Sequence, residues 1–275
     1  MKAPNLTRIE DSLWILNTHI GLGVYDFDFE RYFSCHHPVW WEGTIQAIAR
    51  MGAAPDYAQR YNDLLQFNVE LIHTPEQYER SSKLPVWYPI LEGLTPRSVW
   101  FDTFPTPEAI EAHFDYPIFI KGERQTNKHS RHQSIIESPQ HLREVLQIWH
   151  NEPILRWQRV VCRHFERLRQ VAPDLGGGLP VSFEFRSFWW HGRCVGIGPY
   201  WTSPRYSLND AERRDALNLG RQAAGRLDLP FVVIDLAQTI DGRWIVIECN
   251  DAQDSGYAGV PRHLMWRHIL DGTEV

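Results

Sequence analysis

The stretch FVVIDLAQTIDGRWIVIECND, residues 231–251, constrains the fold of this chain more than any other. Two runs rich in Val and Ile flank Asp241-Gly242, a dipeptide that suits a two-residue type I′ hairpin turn because both central positions need positive φ. With that turn at the tip, Asp235 falls directly opposite Glu248, and Asn250 is their diagonal neighbour. The pair belongs to the non-hydrogen-bonded class, with Cβ atoms about 4.5–5.5 Å apart, so the two charges repel. One face of the hairpin carries Ile234, Leu236, Ile240, Ile245 and Ile247, and the acids share the other with Val233, Ala237 and Val246. Carboxylates covered in this way need a shared proton, a basic partner or a bound cation. Two carboxylates and an amide oxygen suit Mg²⁺, a hard cation that keeps several waters and is commonly completed by substrate phosphates. The alternative is that each acid pairs with an arginine in the sheet. Removing either acid relieves repulsion and is expected to leave the fold intact.

The rest of the chain sets the class. At 275 residues it forms one large domain or two modest ones, and 43% hydrophobic with 23% charged residues is an ordinary globular composition. A mean hydropathy of −0.40 without a long apolar run argues against a membrane span. The opening Met1-Lys2-Ala3-Pro4-Asn5 lacks an apolar signal segment, which points to the cytoplasm. Lys plus Arg total 28 against 34 Asp plus Glu, a formal charge of −6 that gives no general attraction for nucleic acid or an anionic membrane. Any anion site must therefore be local. Cys35, Cys162, Cys194 and Cys249 have no zinc-like spacing and read as reduced thiols.

Along the first hundred residues, apolar runs alternate with turns and helical patterns, which predicts a small α/β unit. Residues 12–17 and 69–73 read as strands and 44–51 as a short helix. Thr74-Pro75-Glu76-Gln77 opens a helix with a capping box and Pro at the first helical position, and Thr106-Pro107-Glu108 repeats the device. Gly21-Leu22-Gly23 lacks the rest of a dinucleotide fingerprint and reads as loop. Beyond residue 115 the pattern becomes antiparallel sheet interleaved with helices: strands at 116–121, 134–136 and 157–162, a hairpin turning at His191-Gly192, and a helix capped by Asn209 and Glu212. The expected division is 1–114 and 115–275.

Phosphates drawn to a metal on the hairpin need cations from elsewhere in the fold. Lys121 ends a strand, Lys128 lies in a polar loop, and Arg186 shares a strand face with Glu184 by the two-residue period. Each also has a plain reading, as a solvated lysine or an internal ion pair. GxxxxGK[ST], HExxH and GxSxG are absent, which excludes a P-loop and two common hydrolase designs.

Over roughly residues 116–260 the chain resembles the ATP-grasp superfamily. The parts are a strand-end lysine in PIFIK, a second lysine in TNKHS, an arginine in SFEFRSF followed by GPYW, and the terminal D…DG.W…E.N pattern of VIDLAQTIDGRWIVIECN. The resemblance implies an α+β ATP-grasp fold, two α+β subdomains gripping a nucleotide, preceded by a small α/β domain. It implies that Lys121 and Lys128 bind phosphate oxygens or the purine and that Arg186 neutralises the triphosphate, with Arg186 and Lys128 as the catalytic pair. Asp235, Glu248 and Asn250 would hold Mg²⁺. WQRVVCRHF resembles the linker strand that reads adenine, giving Gln158, Arg159 and Val161 as candidates, and Lys83 corresponds to an additional nucleotide lysine. The implied activity is ATP-dependent, ADP-forming ligation of a small-molecule or peptide carboxylate to an amine through an acylphosphate. A non-catalytic ATP-binding regulatory module and a phosphotransferase are the alternatives. After Asn250, Gly256 and Gly259 lie in a loop whose N–H groups either hold an anion or simply turn the chain, and Asp251 and Asp254 either orient an amine or are solvated. Tyr25, His36 and His37 line either a pocket or a homodimer interface.

Overall fold

The computed structural model describes residues 4–17, 24–52, 56–124, 130–153, 155–173 and 178–275. Strands β1 (Leu6–Ile9), β2 (Leu13–Asn17), β3 (Cys35–His36), β4 (Ile45–Arg50) and β5 (Val69–Leu71) form a sheet in the order β3-β1-β2-β4-β5. β2, β4 and β5 run parallel, and β1 is antiparallel to both its neighbours. The stretch expected to be a short helix at 44–51 is therefore the strand β4. Six residues are too few for periodicity to separate a helix from a strand covered on both faces, and Ala47 to Arg50 are all buried between neighbours.

Helices α1 (Tyr57–Leu65), α2 (Pro75–Ser82) and α3 (Leu84–Leu91) follow, and α2 starts with the expected Thr74–Gln77 capping box. The second sheet is built from β6 (Ser98–Phe101), β7 (Ile118–Gly122), β8 (Ile135–Ile136) and β9 (Val160–His164), ordered β6-β9-β7-β8 and antiparallel throughout. Helices α4 (Pro107–Glu111), α5 (Arg131–Ser134) and α6 (Pro139–Trp149) accompany it, and α6 is capped by Ser138. Ile110 of α4 and Leu142, Val145 and Trp149 of α6 bury a core against Ile118 and Ile120 of β7. The strand expected at 157–162 begins at Val160 and continues to His164.

The third sheet is ordered β13-β12-β14-β15, from β12 (Glu184–Trp190), β13 (Arg193–Pro199), β14 (Phe231–Gln238) and β15 (Trp244–Asp251), with a ribbon of β10 (Gln170–Ala172) and β11 (Val181–Ser182) ahead of it. Helix α7 (Asp210–Leu227) lies between β13 and β14 in sequence and packs with α3 on one face, where Ala216, Ala223 and Leu227 meet Ile234, Leu236 and Val246. On the other face, α8 (Arg262–Asp271) and the first sheet share one core, in which Ile15 and Ile48 pack in a cluster with Phe188, Phe231 and Trp266. Cys162, Cys194 and Cys249 are buried free thiols, each raised above the ordinary thiol range first by burial.

The β14–β15 hairpin pairs Asp235 with Glu248, by a route the sequence did not suggest. Its tip is not a two-residue turn. Gly242 has φ of 88°, its N–H bonds Thr239 O at 3.0 Å, and Thr239 pairs with Arg243, giving a loop of residues 240–242. That loop shifts the register by one, and a bulge at Ile247 restores it between Asp235 and Leu236. Val246 accordingly joins Leu236 in the core under α7 instead of lying beside the acids. A true pair of positive-φ residues, His191 at 46° and Gly192 at 76°, turns the β12–β13 hairpin.

Candidate active site

The antiparallel second and third sheets enclose a cleft of about 760 Å³. Phe119 and Lys121 of β7 line one wall, and Ile247 and Glu248 of β15 line another. The crossing segment 164–168 closes a further side, with Ser182, Glu184 and Trp201 at its end. Apolar walls with a few convergent charges are the usual make-up of a small-molecule site.

Lys121 is 3% exposed and forms an ion pair with Glu248 across the cleft wall. Its backbone pairs with Val161 of β9 inside the second sheet. Asp235 is wholly buried and takes a fork from Arg186: Nε donates to Oδ1 at 2.9 Å and Nη2 to Oδ2 at 2.7 Å. This follows from the sheet register, which sets Arg186 directly opposite Asp235. Arg186 also donates from Nη1 to Gly256 O at 2.9 Å and lies over the Tyr200 ring, 5.0 Å from its centroid. Burial disfavours its charge, but the Asp235 carboxylate outweighs that and holds the guanidinium protonated. Each acid of the facing pair thus has its own cation, one arginine and one lysine, where the plain alternative foresaw two arginines. Glu184 pairs instead with Ser182, whose hydroxyl lies 3.1 Å from Glu184 Oε2.

Asp235, Glu248 and Asn250 present hard oxygen donors from one face of the hairpin, which suits a divalent cation chemically. Among the described residues no group of three or more His, Cys, Asp or Glu side chains gathers as a metal centre. Glu248 opens on the cleft with one oxygen paired to Lys121, whereas Asp235 has both oxygens engaged by Arg186, so Glu248 with the Asn250 amide is the part of the set that fits a cation.

The remaining candidates lie elsewhere. Gln158 is buried, and its Oε1 accepts from Arg124 N–H at 2.8 Å. Arg159 bridges Glu123 and Asp102 at 2.7 and 2.8 Å. Val161 is buried opposite Lys121 in the sheet, and Lys83 pairs with Glu79 on α2. None of these four lines the cleft. Lys128 and Gly21-Leu22-Gly23 lie outside the described residues. Sequence reasoning missed Arg163, which reaches the cleft from β9 while bonding Ile247 O at 2.7 Å and Thr95 Oγ1 at 2.6 Å. Burial pushes its guanidinium down to about 10, with the Glu248 charge acting the other way. It also missed 164–168, of which WQRVVCRHF reaches only His164 and Phe165.

The segment after Asn250 is pinned from below. Asp251 is wholly buried, and its Oδ2 lies 2.5 Å from His73 Nδ1. His73 Nε2 accepts from Phe231 N–H at 3.1 Å, which leaves Nδ1 as the protonated nitrogen. Arg50 of β4 donates to Ser255 O at 2.8 Å, and Ala49 N–H donates to Gln253 Oε1 at 3.0 Å. Gly259 sits so close to β13 that a Cβ on Gly198 would come within 2.4 Å of Gly259 O. Asp254 differs from Asp251: it is half-buried, with Oδ2 accepting from Tyr78 OH at 2.9 Å.

Comparisons with known proteins bear on the fold that carries this cleft. No curated protein sequence matches the chain significantly. Among solved structures, a RimK domain ATP-grasp protein from Sphaerobacter thermophilus superposes with a TM-score of 0.54 at 16% identity, covering 82% of this chain and 76% of its own. A D-alanine–D-alanine ligase from Bacillus anthracis complexed with ATP gives 0.56 at 13% identity, with 83% and 73% covered. A carboxyaminoimidazole ribonucleotide synthase from Aspergillus clavatus complexed with ATP gives 0.54 at 11%, with 78% and 59% covered. These likenesses show the fold. The model of the ATP-grasp domain, R2K clade family 3, matches residues 110–269, more than half of the sequence, and the chain belongs to that family.

Proposed function

We propose that the chain is an ATP-dependent, ADP-forming ligase that joins a carboxylate to an amine through an acylphosphate, with residues 115–275 as the grasp and 1–114 as a preceding unit. The observation that carries this reading is the Lys121–Glu248 pair at the wall of a cleft between two antiparallel sheets, with the Arg186–Asp235 pair beside it. In such a site ATP lies between the sheets, its base against 164–168 and its phosphates toward Lys121 and Arg186. Glu248 and Asn250 would hold Mg²⁺, which would supply positive charge to the phosphates. Phosphoryl transfer of this type depends mostly on positioning and charge stabilisation, so the chain needs no nucleophile of its own. Arg186, whose fork is taken by Asp235, adds positive charge beside the phosphates, and the cleft's apolar walls exclude water.

A second reading has one observation in its favour. Both oxygens of Asp235 are engaged by Arg186 and closed to solvent, an arrangement that suits a module which binds nucleotide and transfers nothing. ADP release measured with ATP, Mg²⁺ and panels of acids and amines separates the two. Ligation requires release that depends on both an acid and an amine and is lost in Glu248→Gln. Calorimetric ATP binding without any turnover would favour the module, and full activity of Glu248→Gln would remove the hairpin acids from the mechanism.

A further inference from the structure

Of the two acids that follow Asn250, one is sequestered and one is not. Asp251 is closed in by His73, Ser81 and Gln253. Asp254 bonds Tyr78 through Oδ2, and its Oδ1 has no hydrogen-bond partner among the described residues. The backbone around Asp254 is held at several points, by Arg50 on Ser255 O, by Arg186 on Gly256 O at 2.9 Å, and by Val24 O accepting from Tyr257 N–H at 3.3 Å. A loop fixed so firmly offers a carboxylate oxygen in a set position. Burial first and then the Asp254 charge raise the Tyr25 hydroxyl, with Arg186 and Arg50 acting the other way. Asp254 thus lies two residues before Gly256, whose carbonyl accepts from Arg186 beside the cleft.

We propose that Asp254 receives the ammonium group of the acceptor substrate and takes its proton, with Tyr78 as the positioning residue that aims the carboxylate. This rests on the ligase reading above. An ammonium has no lone pair with which to attack. Proton transfer to Asp254 gives the free amine and a neutral carboxylic acid. The amine nitrogen then bonds to the acyl carbon, the acyl C–O bond to phosphate breaks, and the proton lost from nitrogen leaves with the phosphate. Asp254 returns its own proton to solvent. The groups around Asp254 suit the task. Burial and then the neighbouring Asp251 raise its carboxyl to about 7, while the Tyr78 hydrogen bond, Arg124 and Arg50 pull the other way. Arg124 itself lies over the Tyr78 ring, 5.3 Å from its centroid. A proton acceptor whose pKa lies near the working pH is the most effective kind.

The test follows ADP release with ATP, Mg²⁺ and a panel of amino acids and dicarboxylic acids as carboxylates. The nucleophile is either hydroxylamine, a free base near neutrality that needs no proton acceptor, or ammonium, methylamine and amino acids. In the wild type the amine-supported rate should fall as pH drops through about 7, and the hydroxylamine-supported rate should not. In Asp254→Asn the ratio of amine-supported to hydroxylamine-supported rate should drop by about 10²-fold, the usual contribution of a positioned acid or base. Tyr78→Phe, which removes a hydrogen bond that favours the charged carboxylate, should move the acid limb to higher pH, and it serves if Asp254→Asn does not fold. An unchanged rate ratio in folded Asp254→Asn, or an unmoved limb in Tyr78→Phe, overturns the proposal. If the wild type releases no ADP with either nucleophile, the ligase reading itself has failed and takes this inference with it.

Discussion

Asp235→Asn tests the central pair most directly. Sequence reasoning expected this change to relieve repulsion between facing acids and leave the fold intact. The structure gives the opposite sign, because Asp235 is wholly buried and the Arg186 side chain is only 11% exposed. Losing one partner leaves a guanidinium in a site built for a carboxylate, which costs roughly 3–5 kcal/mol for a buried pair. Asn retains one acceptor, and Arg186 retains Gly256 O and the Tyr200 ring, so the lower end, about 3 kcal/mol, is expected. For a chain of this length that lowers Tm by about 6 °C. Urea and thermal melts near neutral pH on Asp235→Asn, Arg186→Met and the double variant complete the cycle. The double variant should be less destabilised than the sum of the singles by at least about 1 kcal/mol, because it leaves no unpaired charge. A single variant within about 0.5 kcal/mol of the wild type, the usual range for surface changes, would refute the reasoning. So would strict additivity.

Two further outcomes can be checked by melting alone. Gly198→Ala puts a Cβ within 2.4 Å of Gly259 O, a backbone atom that cannot swing aside, so a loss of roughly 1–3 kcal/mol is expected; a Tm equal to wild type would show that the 256–260 loop is not clamped against β13. Asp254 gives a pH dependence whose sign can be worked out. Its folded carboxyl is raised to about 7 from the ordinary 3.8, so between those values the folded state holds a proton that the unfolded state has lost, and its contribution to stability fades as pH rises through that window. Asp254→Asn, which cannot ionise, should therefore gain Tm relative to wild type between pH 4 and pH 8, and a relative loss over that range would contradict the assigned direction.

How much of this was legible beforehand differs from residue to residue. The caps at Thr74, Thr106 and Asn209 were readable because each is a bond between a side chain and a backbone N–H three residues away. The pairing of Asp235 with Glu248 was also reached, but only because two misread features cancelled: a longer turn and a bulge, each worth one residue of register. The face assigned to Val246 did not survive that cancellation. At residues 45–50 the apolar spacing fits a helix, yet the stretch becomes an inner strand, because cover from both sides favours extended backbone there.

The sequence by itself determined what its local physics could carry. It determined helix starts, hairpins, the acids of the 231–251 ribbon, and a set of cations in an order that resembles the ATP-grasp pattern. Tertiary structure decided which charges meet. Arg186 faces Asp235 and not Glu184 because β12 pairs with β14, and Lys121 reaches Glu248 because two sheets close on one cleft. It also decided that Asp251 is sealed beneath the site while Asp254, three positions on, keeps one oxygen without a partner among the described residues. Propensity and capping act over about four residues along the chain, whereas desolvation and ion pairing depend on which distant elements are brought into contact.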